Sequence, residues 1–281
     1  MAYKSILTVV TETKRSPAAL AAAAQLCQNA DAHLEALALG IDPNQVDYAA
    51  LGAGVAMLRL GLERAEAEAR AHRALAETAL AAHPLGLRSS VETAICPLGG
   101  LTELVAAHAR YADLVVLGKP YGSPATPEAE AVLEAALFDG MAPVLVVPES
   151  GLPAARPKRI MLAWNQSREA LTATRRALPL LKQAEKVTIT VVDPSPRGAE
   201  RSDPGGQLCQ LLVRHGVRAE VSVLARSLPR ISDVLHRACR DAGADLLVMG
   251  AYGHSRFRQA ILGGATRNML EQAELPVFMA H

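Results

Sequence analysis

The sequence predicts an α/β protein built from two tandem domains, each a five-stranded parallel sheet flanked by helices. Short apolar runs of strand length alternate with longer helical patterns, which is typical of the α/β class. The same order of elements returns after a proline-rich segment, and such a repeat indicates two copies of one unit. With 281 residues, the chain is long enough for two ordinary domains. We therefore divide it into residues 1–150, a linker at 151–157 and residues 158–281.

Three pairs of matching segments define the repeat. Residues 158–162 match residues 4–7, residues 244–250 match 112–118, and residues 275–279 match 142–146. Consecutive strands are separated by helical segments, so they are expected to run parallel.

The elements of the first half follow from local patterns. Ser16 and Pro17 have the chemistry of a helix N-cap and first turn. The charges of segment 56–83 recur at a spacing of four residues, as in Arg73 and Glu77, which favours a solvated helix face. Strands are predicted at residues 5–10, 34–39, 89–96, 114–117 and 144–147, and helices at 16–29, 56–83, 101–110 and 128–138.

Fewer helices and strands can be delimited in the second half of the sequence. Strands are predicted at residues 158–162, 187–192, 246–249 and 276–280, and a helical segment at 267–272.

Composition excludes some classes of partner. Half of the residues are hydrophobic but only 3% are aromatic, so the core must consist of Ala, Leu and Val. A net charge of +1 gives no field that recruits nucleic acid or an anionic membrane. The start of the chain lacks a signal-peptide pattern, and the apolar stretch 49–58 is shorter than the roughly 20 residues that span a bilayer. We expect a soluble, cytoplasmic protein that binds neither nucleic acid nor membrane.

A glycine-rich stretch near the C-terminus is the strongest functional signal. The apolar run 246–249 ends at Gly250, and Gly253, Gly263 and Gly264 follow before a helical segment. Glycines allow the backbone to approach a ligand closely, and the free N–H groups at a helix start attract anions.

This spacing resembles the ATP-binding signature of universal stress proteins, G-x2-G-x9-G followed by Ser or Thr. Gly264 stands where the family usually has the hydroxyl residue, and Thr266 offers a hydroxyl two residues later. The resemblance covers nearly the whole chain. It implies two Rossmann-like domains of the adenine nucleotide alpha hydrolase-like type.

The resemblance also implies a nucleotide site in the second half, at the carboxyl ends of the strands where the strand order reverses. The ligand would be ATP, or AMP or ADP, with or without Mg²⁺. The family often has Asp where Asn165 stands, and Asn carries no charge to hold a metal. The base and ribose would lie against Ala163, Trp164, Asn165 and Val192, and the phosphates would lie near Met249, Gly250, Gly253, His254, Arg256, Gly263, Gly264, Ala265 and Thr266.

Two parts of this site have a second interpretation. Trp164 is equally well explained as a wall for the first helix of the domain. His254 and Arg256 have the alternative of being solvated loop side chains; Arg256 is the better candidate for a phosphate contact because it stays charged.

The first half is expected to have lost its nucleotide site. Gly250 of the second half corresponds to Gly118 of the first, and Gly253 corresponds to Tyr121. The bulky Tyr121 and the rigid Pro120 before it prevent close approach of the backbone to a ligand. Residues 133–138 replace the second glycine pair, and Glu134 would repel phosphate.

We therefore expect a stress-response regulator that binds adenine nucleotide in its C-terminal domain. Its N-terminal domain would be an internal dimerisation partner, making the chain an intramolecular pseudo-dimer, and a further homodimer is compatible with the family. The alternatives are a scaffold without nucleotide, a sensor of another small ligand, or an enzyme with a related nucleotide fold.

No catalytic set supports the enzyme. The sequence has no G-x-S-x-G elbow, no metal-spaced His pair and no Walker lysine, so no catalytic or metal site is predicted, and at most slow ATP hydrolysis.

Overall fold

A computed structural model of the chain describes residues 2–43, 54–83, 86–122, 126–153, 156–194, 202–251 and 264–281. The chain divides into two compact units. The N-terminal unit is Tyr3–Val144, and the C-terminal unit is Leu145–His281 together with Ala2.

The N-terminal unit alternates strands and helices as predicted. Its strands lie in the order β3-β2-β1-β4, and the neighbours β3–β2, β2–β1 and β1–β4 are parallel. The strands are β1 (Ser5–Val10), β2 (His33–Asp42), β3 (Arg88–Pro97) and β4 (Leu114–Gly118), and the helices are α1 (Ser16–Ala30), α2 (Gly54–Ala81), α3 (Leu101–Ala109) and α4 (Pro127–Glu134).

Helix α1 has proline in its first turn, as its sequence predicts, but the N-cap is Arg15 and not Ser16, which is the first helical residue. It ends where Asp31 takes a left-handed conformation with φ of 52° and donates its N–H to the Cys27 carbonyl. This conformation stops the helix and turns the chain into β2.

Helix α2 packs closely on β2. A Cβ at Gly40 would overlap the carbonyl oxygen of Ala65, so only glycine allows this approach. On the solvated side, the predicted pair Arg73 and Glu77 forms an ion pair of 2.7 Å. Such exposed pairs stabilise a helix by only about 0.2–0.5 kcal/mol, so the packed face holds α2 in place.

The helix predicted over residues 128–138 is present, but its last turn is not α-helical. Helix α4 ends at Glu134, and Ala135–Asp139 form a π-helical turn. The chain then brings Gly140 against α3, where a Cβ would lie 2.7 Å from that of Ala109. The π-helical turn thus directly precedes the close approach of Gly140 to α3.

The C-terminal unit has the order β10-β9-β6-β7-β8, and all four neighbouring pairs are parallel. The α/β class and the parallel pairing are therefore confirmed. Strand β5 (Val144–Val147) lies at the boundary between the units; the others are β6 (Arg159–Ala163), β7 (Lys186–Val192), β8 (Ala219–Leu224), β9 (Leu246–Gly250) and β10 (Val277–Ala280).

Helices connect the strands of the C-terminal unit, and buried Ala, Leu, Ile, Val and Met side chains fill its core. None of the helices in the described ranges is long and apolar enough to cross a membrane. They are α5 (Arg168–Arg176), α6 (Leu178–Leu181), α7 (Gly206–Arg214), α8 (Ile231–Ala242) and α9 (Gly264–Gln272).

Candidate functional site

The crevice of the C-terminal unit lies where β6 and β9 end. The chain leaves β6 toward one side, through β7 to β8, and leaves β9 toward the other side, to β10. Ligands of open α/β sheets bind at such a reversal of strand order, beyond the carboxyl ends of the strands. The ends of these two strands, Ala163 and Gly250, therefore mark the position of the site.

Gly250 allows the start of α5 to lie against the end of β9. A Cβ at this position would lie 2.5 Å from the backbone nitrogen of Ala170 and 2.8 Å from the carbonyl carbon of Glu169. Both atoms are backbone, so a side chain cannot be accommodated by a rotamer change. The glycine thus brings a helix N-terminus, with its partial positive charge, to the crevice.

The turn between β6 and α5 is held by two side chains. Ser167 caps α5 by accepting a hydrogen bond of 3.1 Å from the backbone N–H of Ala170. Asn165 Oδ1 accepts a bond of 3.2 Å from the Ser167 N–H. The side-chain oxygen of Asn165 is thus engaged within the turn. The side chain is nevertheless exposed, and its NH₂ group can donate a hydrogen bond to a ligand in the crevice.

Trp164 packs into the unit. Its residue is 8% exposed, and its backbone N–H donates to the Thr190 carbonyl at 2.9 Å, which extends the pairing of β6 with β7. This burial favours the interpretation of Trp164 as a structural wall over that of a freely exposed base contact.

The remaining predicted contacts differ in exposure. Ala163 and Val192 are half-buried at the ends of β6 and β7, whereas Met249 is 9% and Thr266 5% exposed. Ala265 is exposed in the first turn of α9. The phosphate contact of the Thr266 hydroxyl stays a prediction.

Four of the predicted residues, Gly253, His254, Arg256 and Gly263, lie outside the described residues. Gly264 is described as the first residue of α9. Because α9 connects the end of β9 to the start of the parallel strand β10, it must begin at the carboxyl ends of the strands. The free N–H groups of its first turn are therefore at the same edge as the start of α5.

The corresponding crevice of the N-terminal unit is filled by Arg15, a residue that sequence analysis missed. Arg15 is 6% exposed at the N-cap position of α1. Its Nη1 donates to the Lys119 carbonyl at 2.8 Å and to that of Tyr121 at 3.4 Å, and its Nη2 donates to the Gly122 carbonyl at 3.1 Å. Three carbonyl oxygens of the loop after β4 therefore face the guanidinium of Arg15.

Neighbouring side chains close the rest of this space. Tyr121 is 3% exposed, and its hydroxyl donates to Glu130 at 3.1 Å. The cavity left beside Arg15 and Gly118 is about 30 Å³, the share of volume of about one water molecule in the liquid. The loss of a nucleotide site in this unit stays a prediction. The sequence signal for this arrangement was an arginine directly before the Ser16–Pro17 helix start.

The fold and the two crevices define a class: tandem doubly wound α/β units, of which the second has helix N-termini and a glycine close approach where its strand order reverses. Comparison with known proteins names the family. Residues 157–281 match the model of the universal stress protein family. This matched region is the C-terminal unit, in which the glycine spacing resembles the signature of that family.

One curated relative supports the assignment over a short region. A universal stress protein of Synechocystis, Slr1230, is 34% identical over 68 residues, which is 24% of this chain. The match spans 23% of the length of that relative.

Solved structures extend the likeness in fold to both units. A universal stress protein from Archaeoglobus fulgidus has a TM-score of 0.71 at 15% identity, covering 98% of this chain and 95% of that chain. A protein of unknown function from Pseudomonas aeruginosa PAO1 has a TM-score of 0.59 at 17% identity, covering 99% of this chain and 92% of that chain. At these identities the likeness concerns the fold alone, and it is that of two tandem units in one chain.

Proposed function

We propose that the C-terminal unit binds an adenine nucleotide, ATP or its AMP and ADP forms, and that the protein is a regulator in the stress response. The observation that carries the proposal is the close approach at Gly250, where a Cβ would lie 2.5 Å from the Ala170 nitrogen. It brings the N-terminus of α5 to the strand ends at which α9 also begins. Two helix N-termini at one edge form a favourable place for a phosphate chain.

The residues of the C-terminal crevice suit a nucleotide whose phosphates are bound by backbone N–H groups of the protein. Ala163 and Val192 offer apolar surface for the base, and the exposed Asn165 amide offers a donor for a ribose hydroxyl. The N–H groups near Gly264 and Ala265 would bond the phosphates. Asn165 has no charge for a metal, so Mg²⁺ would be held mainly by the phosphates.

We infer that the N-terminal unit does not share this role. The guanidinium of Arg15 already occupies the place of a ligand, and the carbonyl groups around it repel phosphate. In the proposed function this unit is the intramolecular partner of the C-terminal unit. A further homodimer and a cytoplasmic location belong to the same proposal.

The test is a change of charge at Ala265. This exposed residue lies in the first turn of α9, where an acidic side chain is expected to stabilise the helix by about 0.3–1 kcal/mol. Ala265→Glu should therefore leave the fold intact and weaken the binding of ATP by at least about tenfold, which is 1.4 kcal/mol of binding energy. Ala265→Gln is the matched neutral control.

The measurement is the melting temperature of the full chain during titration with ATP and Mg²⁺, since a ligand of the folded state raises it. The wild type and Ala265→Gln should be stabilised at millimolar ATP, and Ala265→Glu should not. If the wild type is not stabilised, the protein is better described as a scaffold without nucleotide. If the Glu and Gln variants respond alike, the phosphates do not lie at the start of α9.

A further inference from the structure

A second cluster of chemically competent side chains lies in the N-terminal unit, on a face of its sheet. Glu35 of β2, Glu92 of β3 and His108 of α3 each place one ligand atom within 4.8 Å of the other two. Glu35 pairs with Ser90, and Leu37 pairs with Glu92, so the two carboxylates are two residues apart in register and share a face. It is the one group of this kind among the residues that the structure describes.

The three residues differ in how they are held. His108 Nδ1 lies 2.5 Å from Glu35 Oε1, and the two side chains are 23% and 25% exposed. This contact fixes the orientation of the imidazole ring on the carboxylate. Glu92 is exposed and can rotate toward them. Glu35 and His108 are thus held by their mutual contact, whereas the Glu92 side chain can change its rotamer.

Charge in the cluster is incompletely balanced. Within the described ranges, Glu92 has no hydrogen bond or ion pair, although a Glu35 oxygen lies within 4.8 Å of it. Two carboxylates at this separation repel each other, and a cation placed between them relieves the repulsion. A divalent ion balances the charge of both carboxylates.

The second copy of the fold shows that the sheet does not require these residues. Leu7 and Met161 are matching residues of β1 and β6, and their partners in register are Glu35 and Thr188. In the same way, the counterpart of Glu92 on β8 is Ser222, which pairs with Thr190. Hydroxyl side chains serve the same structural positions, so packing does not explain the carboxylates of the first copy.

We propose that Glu35, Glu92 and His108 form a binding site for a divalent transition metal ion, for which Zn²⁺ is the probe. One imidazole nitrogen with two carboxylate oxygens suits Zn²⁺, Mn²⁺ or Ni²⁺, whereas Mg²⁺ and Ca²⁺ prefer oxygen ligands alone. Three protein ligands leave a fourth position for water. Zinc to ligand distances of about 2.0–2.2 Å place tetrahedral ligand atoms about 3.4 Å apart. His108 Nδ1 and Glu35 Oε1 would therefore separate to admit the ion, and rotation of the exposed Glu92 would bring its carboxylate closer.

This site is independent of the nucleotide site, and sequence analysis expected no metal. Its residues come from three elements and follow no ligand spacing along the chain. A bound ion would tie α3 to β2 and β3 and so stabilise the N-terminal unit.

The experiment is isothermal titration of the full, reduced chain with Zn²⁺ at neutral pH, with Mg²⁺ titrated separately. We expect one strong Zn²⁺ equivalent, no comparable binding of Mg²⁺, and weaker Zn²⁺ binding as the pH falls, because protons compete for the ligands. Glu92→Gln should weaken Zn²⁺ binding at least about tenfold. This variant leaves the His108–Glu35 contact in place, so its fold is not at risk.

Two controls make the result decisive. His33→Ala removes an exposed imidazole of β2 that contacts Ser90, and it should leave Zn²⁺ binding unchanged. Titration with Co²⁺ reports the ligands, because thiolate coordination adds a charge-transfer band that nitrogen and oxygen ligands lack. The proposal is overturned if no equivalent of Zn²⁺ binds, if Glu92→Gln binds as tightly as the wild type, or if the Co²⁺ spectrum shows cysteine ligands.

Discussion

The two crevices of this protein are built on the same arrangement of parallel strands and differ in the polarity of the backbone around them. In the N-terminal unit, the loop after β4 aims carbonyl oxygens at the buried guanidinium of Arg15. In the C-terminal unit, Gly250 brings a helix N-terminus to the end of β9. The N-terminal crevice therefore binds the guanidinium of the chain's own Arg15, and the C-terminal crevice is suited to an anionic ligand.

The first helix of each unit also begins differently. The N-cap residue of the first helix of each unit is Arg15 in one copy and Ser167 in the other. Arg15 reaches across to the loop that follows the fourth strand, whereas Ser167 only caps its own helix at 3.1 Å. The Arg15 side chain thus forms a structural contact in the N-terminal crevice, whereas Ser167 is bonded within its own helix start.

The largest expected effect is that of Arg15→Ala. It leaves the carbonyls of Lys119, Tyr121 and Gly122 without their donor, so we expect the free energy of unfolding to fall by about 2–4 kcal/mol. Lys14→Ala is the control, because Lys14 is exposed beside it in sequence and should change stability by less than about 0.5 kcal/mol. Urea denaturation measures both. Equal effects would show that Arg15 does not hold the N-terminal crevice closed.

A smaller effect compares the glycines at the ends of β4 and β9. A Cβ at Gly250 would meet a backbone nitrogen at 2.5 Å, whereas one at Gly118 would lie 3.1 Å from the Cβ of Arg15. Gly250→Ala should therefore lower the free energy of unfolding by about 1–3 kcal/mol, and Gly118→Ala should lower it by less. Chemical denaturation of the two variants gives the order. A larger loss at Gly118 would contradict the closer approach in the C-terminal unit.

The smallest effect concerns pH and a half-buried histidine of the C-terminal unit, His236. Burial lowers the pKa of His236 below its usual value of 6.5, although a hydrogen bond to the backbone of Met269 opposes the shift. Its Nε2 is buried without a hydrogen-bond partner in the described part of the chain. Protonation there costs stability, because the charged ring would gain a buried N–H donor that nothing accepts.

The sign follows from the lowered pKa. The unfolded chain binds the proton more readily, so the stability that neutral His236 contributes is present above pH 6.5 and is lost as the pH falls toward the folded pKa. His236→Leu introduces the residue of the matching position, Leu104, and should flatten this part of the curve of melting temperature against pH. Parallel curves for the variant and the wild type would exclude the effect.

Local chemistry made much of the fold predictable. Strands β1 and β5 begin and end at the predicted residues because polar or proline neighbours bound their apolar runs. Strand β2 is longer than predicted, since its pairing with β3 extends from His33 to Asp42 beyond the apolar core of the run. Helix α9 begins at Gly264, earlier than the charged segment that predicted it.

The site was predictable only in part. The glycine spacing is a local pattern, and it pointed to the family whose model matches residues 157–281. Gly250 has a close-approach role that its sequence position indicated. Arg15 was missed because its partners Lys119 to Gly122 lie more than a hundred residues along the chain. A contact of this separation depends on tertiary structure and leaves no periodic signal.

The most direct test of the difference between the crevices is a crystal structure of the full chain with a non-hydrolysable ATP analogue. We expect one nucleotide per chain, with its phosphates at the start of α9 and Arg15 still bonded to the carbonyls of Lys119 and Gly122. Nucleotide bound in the N-terminal unit with Arg15 displaced, and none at the end of β9, would contradict the assignment of the two roles.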